Sequence, residues 1–141
     1  MINSRDINEL TTETKKRCIA FVAMCKAHNI DIIITSTYRD MESQAALYAQ
    51  GRTKPGDIVT DAKPGQSFHN FRVAFDFAPV LNGKLQYNNA KLIEQCGILA
   101  EKSGLEWSGR WKKRPERVHC QLSGLSLATL QKQQNLLRLG R

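Results

Sequence analysis

Two hydrophobic rhythms alternate along this chain. From residue 12 to 28 the apolar positions Cys18, Phe21, Val22 and Cys25 fall at i, i+3, i+4 and i+7, the spacing of one buried helix face. Thr11 or Thr12 is placed to cap the start. Asp31 to Ser36 is a β-branched run and predicts a buried strand. A second helix follows from about Met41 to Gln50, closed by Gly51. Residues 72 to 80 return to strand character, and Asn82-Gly83 is a hairpin signal. Residues 89 to 102 read as a third helix, with Leu92, Ile93, Cys96, Leu99 and Ala100 on its inner face and Gly104 past its end. Short strands are predicted around Leu105 to Trp107 and Arg117 to Leu122, then an amphipathic helix from about Ser126 to Leu139 that serves packing. The prediction is an α+β fold, a small antiparallel sheet flanked by helices, in a single domain spanning 1–141.

Residues 51 to 66 break the pattern. They hold Gly51, Pro55, Gly56, Pro64 and Gly65 and little apolar material, and a loop of that length inside a compact domain usually carries function. No apolar run approaches the roughly 18 to 20 residues a membrane span needs, and no hydrophobic leader segment opens the chain. Synthesis in the cytoplasm is the expectation, without stable membrane insertion. Cys18, Cys25, Cys96 and Cys120 form no C-x-x-C pair and read as reduced, buried thiols.

Charge and chemistry then narrow the picture. The net charge of +8 asks for an anionic partner: nucleic acid, anionic membrane or an anionic wall polymer. No helix carries a concentrated basic stripe and no nucleic-acid motif is present, which argues against a nucleic-acid partner. In the strand at 72–80, Val73, Phe75 and Phe77 point one way, while Ala74, Asp76 and Ala78 point the other. A carboxylate between two alanines is costly to bury alone, and the small neighbours leave room for an ion. His69 arrives from the loop just before it. Further on, Glu116 precedes His119 by three residues, so a turn entering a strand would bring both to one point. Two histidines and one carboxylate can hold catalytic zinc, with a neighbouring carboxylate as base. Cys120 directly follows His119 and faces the other way on a strand, which disfavours it as a fourth ligand. Residue types alone leave a metal-free binding module open as well.

The ordered motifs S-T-Y-R-D at 36 to 40, Q-A-A-L-Y-A-Q-G at 44 to 51, S-F-H-N-F-R-V-A-F-D at 67 to 76, G-L-E-W at 104 to 107 and E-R-V-H at 116 to 119 point further. Together, over about Ile32 to Leu122, they resemble the zinc peptidases that include D-alanyl-D-alanine carboxypeptidases, D-alanyl-D-alanine dipeptidases and phage L-alanyl-D-glutamate endopeptidases. The resemblance implies zinc (Zn2+) held by His69, Asp76 and His119, Glu116 as the catalytic carboxylate, and Arg39 steadying a carbonyl or oxyanion. It implies Ser67 and Gln44 as substrate-binding residues, Gln44 with the less defined role. Bacterial peptidoglycan is the implied substrate, and a monomeric endolysin cutting the L-Ala-D-Glu bond and reaching the wall after release is the leading expectation; a D-Ala-D-Ala carboxypeptidase or dipeptidase is the alternative. Two positions depart from the family pattern. Arg72 stands where Gly is common, implying that the backbone there needs no positive φ, and Cys120 stands where an aromatic is common. Other readings are structural: Arg39 could pair with Asp40 or Glu42, Trp107 belongs to the core, Trp111 to a cleft, and His28 caps a helix end.

Overall fold

A computed structural model describes residues 1–139. Its elements are α1 (Thr12–Ala27), β1 (Asp31–Ser36), α2 (Met41–Ala49), β2 (Ala74–Leu81), β3 (Lys84–Leu85), α3 (Ala90–Lys102), β4 (Leu105–Trp107), β5 (His119–Leu122) and α4 (Leu127–Leu139). The strands form one antiparallel sheet in the order β1-β2-β5-β4, with β3 pairing the far end of β2. Helices beside a small antiparallel sheet are the architecture the sequence pattern predicts. No helix among the described residues is long and apolar enough to cross a membrane.

The sheet sorts its side chains by strand alternation. Phe75 and Phe77 of β2, Cys120 of β5 and Leu105 and Trp107 of β4 enter one core with Cys18, Phe21 and Cys25 of α1 and Ile93, Cys96, Leu99 and Ala100 of α3. Phe21 meets the Phe77 ring edge-on, with centroids 5.1 Å apart. All four cysteines are free and buried, as their place in the apolar rhythms requires. Burial raises the Cys18 thiol to about 12 and pushes that of Cys120 well above its ordinary range, so neither is a thiolate at neutral pH.

Two expectations fail for physical reasons. The run Ile32-Ile33-Ile34 is not a buried strand: among the described residues β1 lies at the sheet edge, pairs with β2 alone and leaves Ile33 exposed while Ile32 and Ile34 lean on the core. An apolar run cannot report whether a strand has one neighbour or two. The second correction concerns Arg72, whose φ is 63°, in the left-handed region that favours glycine. Its N–H closes the turn Phe68–Phe71, and its carbonyl accepts from Thr11 N at 2.9 Å. The side chain compensates for the unfavourable backbone: the guanidinium stacks 3.8 Å from the Tyr38 ring centre and pairs with Glu9. The predicted hairpin is present, with Asn82 at φ 51° and Gly83 at φ 75° joining β2 to β3.

The Trp107 indole sits where two glycines leave space. A Cβ on Gly97 of α3 would lie 2.1 Å from the ring, and one on Gly109 2.2 Å from it, so the ring occupies the volume their side chains would need. Its Nε1 donates to the Arg117 carbonyl at 2.7 Å, tying the chain before β5 to β4.

Two predictions follow from this packing. Gly97→Ala is expected to lower stability by about 1–3 kcal/mol, because overpacking against the indole outweighs the better helix propensity of alanine; the midpoint of urea unfolding measures it. At position 72 the usual order reverses. Arg72→Ala keeps the left-handed backbone and loses the compensating contacts, so Arg72→Gly is expected to be more stable than Arg72→Ala by about 1 kcal/mol in the same assay.

Candidate metal centre

Strand register builds the site. On the face of β2 opposite the core, Asp76 lies directly across from His119 of β5 and from Ser36 of β1. An irregularity between Ile34 and Ser36 lets Ser36 reach that register. His69 comes from the one-turn helix Phe68–Phe71 just before β2. Ser67 caps this turn, its Oγ accepting from His69 N at 3.3 Å, and Asn70 completes a capping box. Asn70 also donates to the Arg39 carbonyl at 2.8 Å, locking the turn to the end of β1.

The three predicted ligands converge. His69 Nε2 lies 3.1 Å from Asp76 Oδ1 and 3.2 Å from His119 Nδ1, and His119 Nδ1 lies 2.9 Å from Asp76 Oδ1. Four-coordinate zinc with bonds of 2.0–2.1 Å sets its ligand atoms about 3.3 Å apart, so the donor atoms stand close to the spacing such an ion needs. The outer ring nitrogens are engaged. His69 Nδ1 sits 2.8 Å from the Thr37 carbonyl, and a carbonyl can only accept, so Nδ1 carries a hydrogen and the neutral ring presents its lone pair on Nε2. His119 Nε2 lies 2.9 Å from Gln121 Oε1. A donor set of two imidazoles and a carboxylate, with lone pairs turned to one point, fits zinc.

Electrostatics agree with that reading. Burial opposes ionisation of Asp76, but the charges and hydrogen bonds of His69 and His119 outweigh it and hold its carboxyl well below the usual range. For His119 burial opposes the charged ring, yet the Asp76 carboxylate, and then Glu116 and Gln121, raise its pKa above that of an ordinary imidazole.

The other predicted residues fall in different places. Glu116 is half-exposed, with Oε2 3.7 Å from His119 Nδ1, and it lines the cleft beside the three ligands. Arg39 is buried and lines the same cleft. It does not pair with Asp40, which caps α2 through Ser43 N, nor with Glu42; its Nη2 lies 3.8 Å from Asp76 Oδ2. Arg39 Nε has no hydrogen-bond partner among the described residues. Burial lowers the Arg39 pKa, with Asp76 and Glu116 pulling it back.

Gln44 is placed differently from the sequence expectation. It is fully buried and outside the cleft lining; its Oε1 accepts from Arg39 Nη1 at 2.9 Å and its Nε2 donates to the Ala62 carbonyl at 2.8 Å. Both ends of its amide are used internally, so it orients Arg39 and anchors the 51–66 loop. Ser67 lines the cleft while capping the His69 turn. Trp107 is in the core, and His28 is exposed at the α1 end with Nδ1 2.9 Å from the Met24 carbonyl.

The cleft has a volume of about 770 Å³ and opens between the 51–66 loop and the segment 111–118. Val59, Trp111 and Leu127 give it apolar walls, and Asp61, Lys113 and Arg114 bring charges of both signs to it. Asp61 bridges the two lips by pairing with Arg114 at 2.9 Å. The loop is held from behind as well, since Gln131 of α4 donates to the Gly65 carbonyl at 2.8 Å. Sequence reasoning missed Thr37, Asn70, Gln121 and Glu106 as supports of the site. Gln121 alone left a signal: two residues beyond His119 on a strand, it must share its face.

Comparison with known proteins agrees with this geometry. The family model for VanY, D-alanyl-D-alanine carboxypeptidase, matches residues 7–120. Peptidoglycan L-alanyl-D-glutamate endopeptidase CwlK of Bacillus subtilis (strain 168) is 34% identical over 125 residues, covering 82% of this chain and 74% of that protein. Among solved structures, the L-Ala D-Glu endopeptidase ChiX of Serratia marcescens superposes with a TM-score of 0.65 at 14% identity, over 86% of this chain and 89% of that one. The vancomycin resistance D,D-pentapeptidase VanY from a VanB-type resistance cassette, solved in complex with Zn(II), gives 0.66 at 15% identity, over 95% of this chain and 85% of that one. These structures share the fold, and the family match with the CwlK relationship settles the lineage: the chain belongs to the VanY family of D-alanyl-D-alanine carboxypeptidases and is a peptidase.

Proposed function

We propose that the chain is a zinc-dependent L-alanyl-D-glutamate endopeptidase acting on peptidoglycan stem peptides. The observation that carries this is the convergence of His69 Nε2, Asp76 Oδ1 and His119 Nδ1, with the Glu116 carboxylate 3.7 Å from the last. The choice of bond rests on the relationship to CwlK. His69, Asp76 and His119 would hold the metal, which when bound supplies Lewis acidity that polarises a carbonyl and acidifies water.

The remaining chemistry belongs to the chain's own residues. Glu116, half-exposed beside the ligands, is placed to take a proton from the attacking water and return it to the leaving amine. Arg39, with its Nε unpartnered, offers a fixed positive charge to the oxyanion that develops as the amide is attacked. Gln44 and Asn70 hold Arg39 in place, so its donors are set before substrate arrives. Lys113 in the cleft lining offers a positive charge to a substrate carboxylate. The narrower role we infer is lysis of phage type: synthesis in the host cytoplasm, then action on the anionic wall, for which the net charge of +8 is suited. Cleavage of D-Ala-D-Ala is the second reading, and the description of the family model favours it.

The experiment compares zinc content, wall lysis and released peptides for wild type, His69→Ala and Glu116→Gln. Wild type is expected to carry one zinc, lost in His69→Ala. Glu116→Gln is expected to keep the zinc and lose about 100-fold to 10,000-fold in rate. Mass spectrometry of stem peptides decides the bond: a new N-terminal D-Glu supports the endopeptidase, and free D-Ala supports the carboxypeptidase. A metal-free wild type that stays inactive with added zinc would sink both.

A pH dependence also follows. Zinc must displace the proton on His119 Nδ1, and the Asp76 carboxylate makes that proton harder to remove. Apparent zinc affinity is therefore expected to be level at alkaline pH. It should fall about tenfold per unit below the raised His119 pKa, with onset above the 6.5 of an ordinary imidazole. Asp76 contributes nothing to the slope there, because its depressed pKa keeps it ionised. Chelator competition across neutrality measures this, and an onset at or below the ordinary value would contradict it.

A further inference from the structure

We propose that Glu106 is a positioning residue of the metal centre, acting through Gln121 to fix which ring nitrogen of His119 carries hydrogen. The proposal rests on the zinc reading above and deepens it. The case begins at Trp111, whose Nε1 can only donate and lies 3.1 Å from Glu106 Oε2. The same oxygen lies 3.1 Å from the Gln121 amide. A carboxylate oxygen already accepting from an indole cannot donate, so the end of the amide facing it must be the NH2 group.

That choice settles the other end. With its nitrogen held by Glu106, Gln121 turns Oε1 towards His119 Nε2 at 2.9 Å. An amide oxygen only accepts, so Nε2 of His119 bears the hydrogen. The neutral ring is left with its lone pair on Nδ1, the atom 2.9 Å from Asp76 Oδ1 and 3.2 Å from His69 Nε2. One carboxylate, two bonds away from the ring, thus selects the tautomer that can bind metal.

The fold makes this relay rigid. Glu106 of β4 and Gln121 of β5 are direct cross-strand partners, and His119 sits two residues along the same strand face. Gln121 and His119 are both buried, so water does not compete for the bonds. Ala74, opposite Gln121 on β2, leaves room for the amide beside the ligands. The two histidines differ in this respect. His69 is oriented by the Thr37 carbonyl, a backbone group that no substitution removes. His119 depends on side chains and is the ligand a single substitution can misorient. Glu106 also holds Trp111, a cleft wall whose ring centre lies 6.0 Å from that of His119, so one group couples wall and ligand.

The test measures zinc affinity by chelator competition and His119 tautomer by 15N NMR of the metal-free protein at alkaline pH, where the ring is neutral. Wild type, Glu106→Gln, Glu106→Leu and Gln121→Leu are compared. Glu106→Leu and Gln121→Leu are expected to bind zinc about 10- to 100-fold more weakly. Their His119 spectra should shift from the Nε2-H form towards the Nδ1-H form. Glu106→Gln keeps an oxygen able to accept both bonds and is expected to restore tautomer and affinity close to wild type. Unchanged affinity and tautomer in both leucine variants would overturn the proposal. So would equal weakening in Glu106→Gln and Glu106→Leu with the tautomer unmoved, since that is a packing effect. If wild type binds no zinc, the metal reading fails by itself, while the NMR comparison still decides whether Glu106 sets the ring.

Discussion

A carboxylate on an inner strand of a small sheet must be compensated, and much of the site can be traced to how Asp76 is. On β2 it stands between Ala74 and Ala78, both fully buried, with the aromatic core of Phe75 and Phe77 on the reverse face. Burying such a charge unpaired would cost several kcal/mol. Two imidazoles and the Arg39 guanidinium gather around it instead. Each of these is held in turn: His69 by Thr37 and the capped turn, Arg39 by Gln44 and Asn70, His119 by Gln121. A bound cation would complete this arrangement by adding positive charge where the three donor atoms converge.

The same strand alternation that exposes Asp76 and His119 to the cleft buries their neighbours in the core. Phe75 lies opposite Cys120 across β2 and β5, and Cys120 opposite Trp107 across β5 and β4. A one-residue slip of β5 would carry His119 into the apolar core and Cys120 into the site, so packing and ligand geometry enforce a single register. Cys120 is a buried thiol on the core side and contributes nothing to the metal face.

Around this centre, the cleft is walled by less regular segments. The 51–66 loop and the 111–118 segment form the cleft lips, joined by Asp61 and Arg114 and backed by Gln44 and Gln131. Such loops can vary while the sheet keeps the ligands fixed.

The sequence by itself determined the elements, the core faces of α1 and α3, the hairpin at Asn82-Gly83 and the set His69, Asp76, His119 with Glu116 beside it. The elements were legible because helix and strand periodicity record burial locally, and the site residues because the ordered motifs resemble those of zinc peptidases, which implies that set. Only the tertiary structure decided that β1 is an edge strand, that Arg72 adopts a glycine-like backbone, and that Gln44 holds Arg39 from a buried position. It alone showed the link from Trp111 through Glu106 and Gln121 to His119. The physical reason is common to all four. Periodicity tells which face a residue occupies, whereas strand neighbours, compensating contacts and the far ends of hydrogen bonds belong to residues distant in the chain.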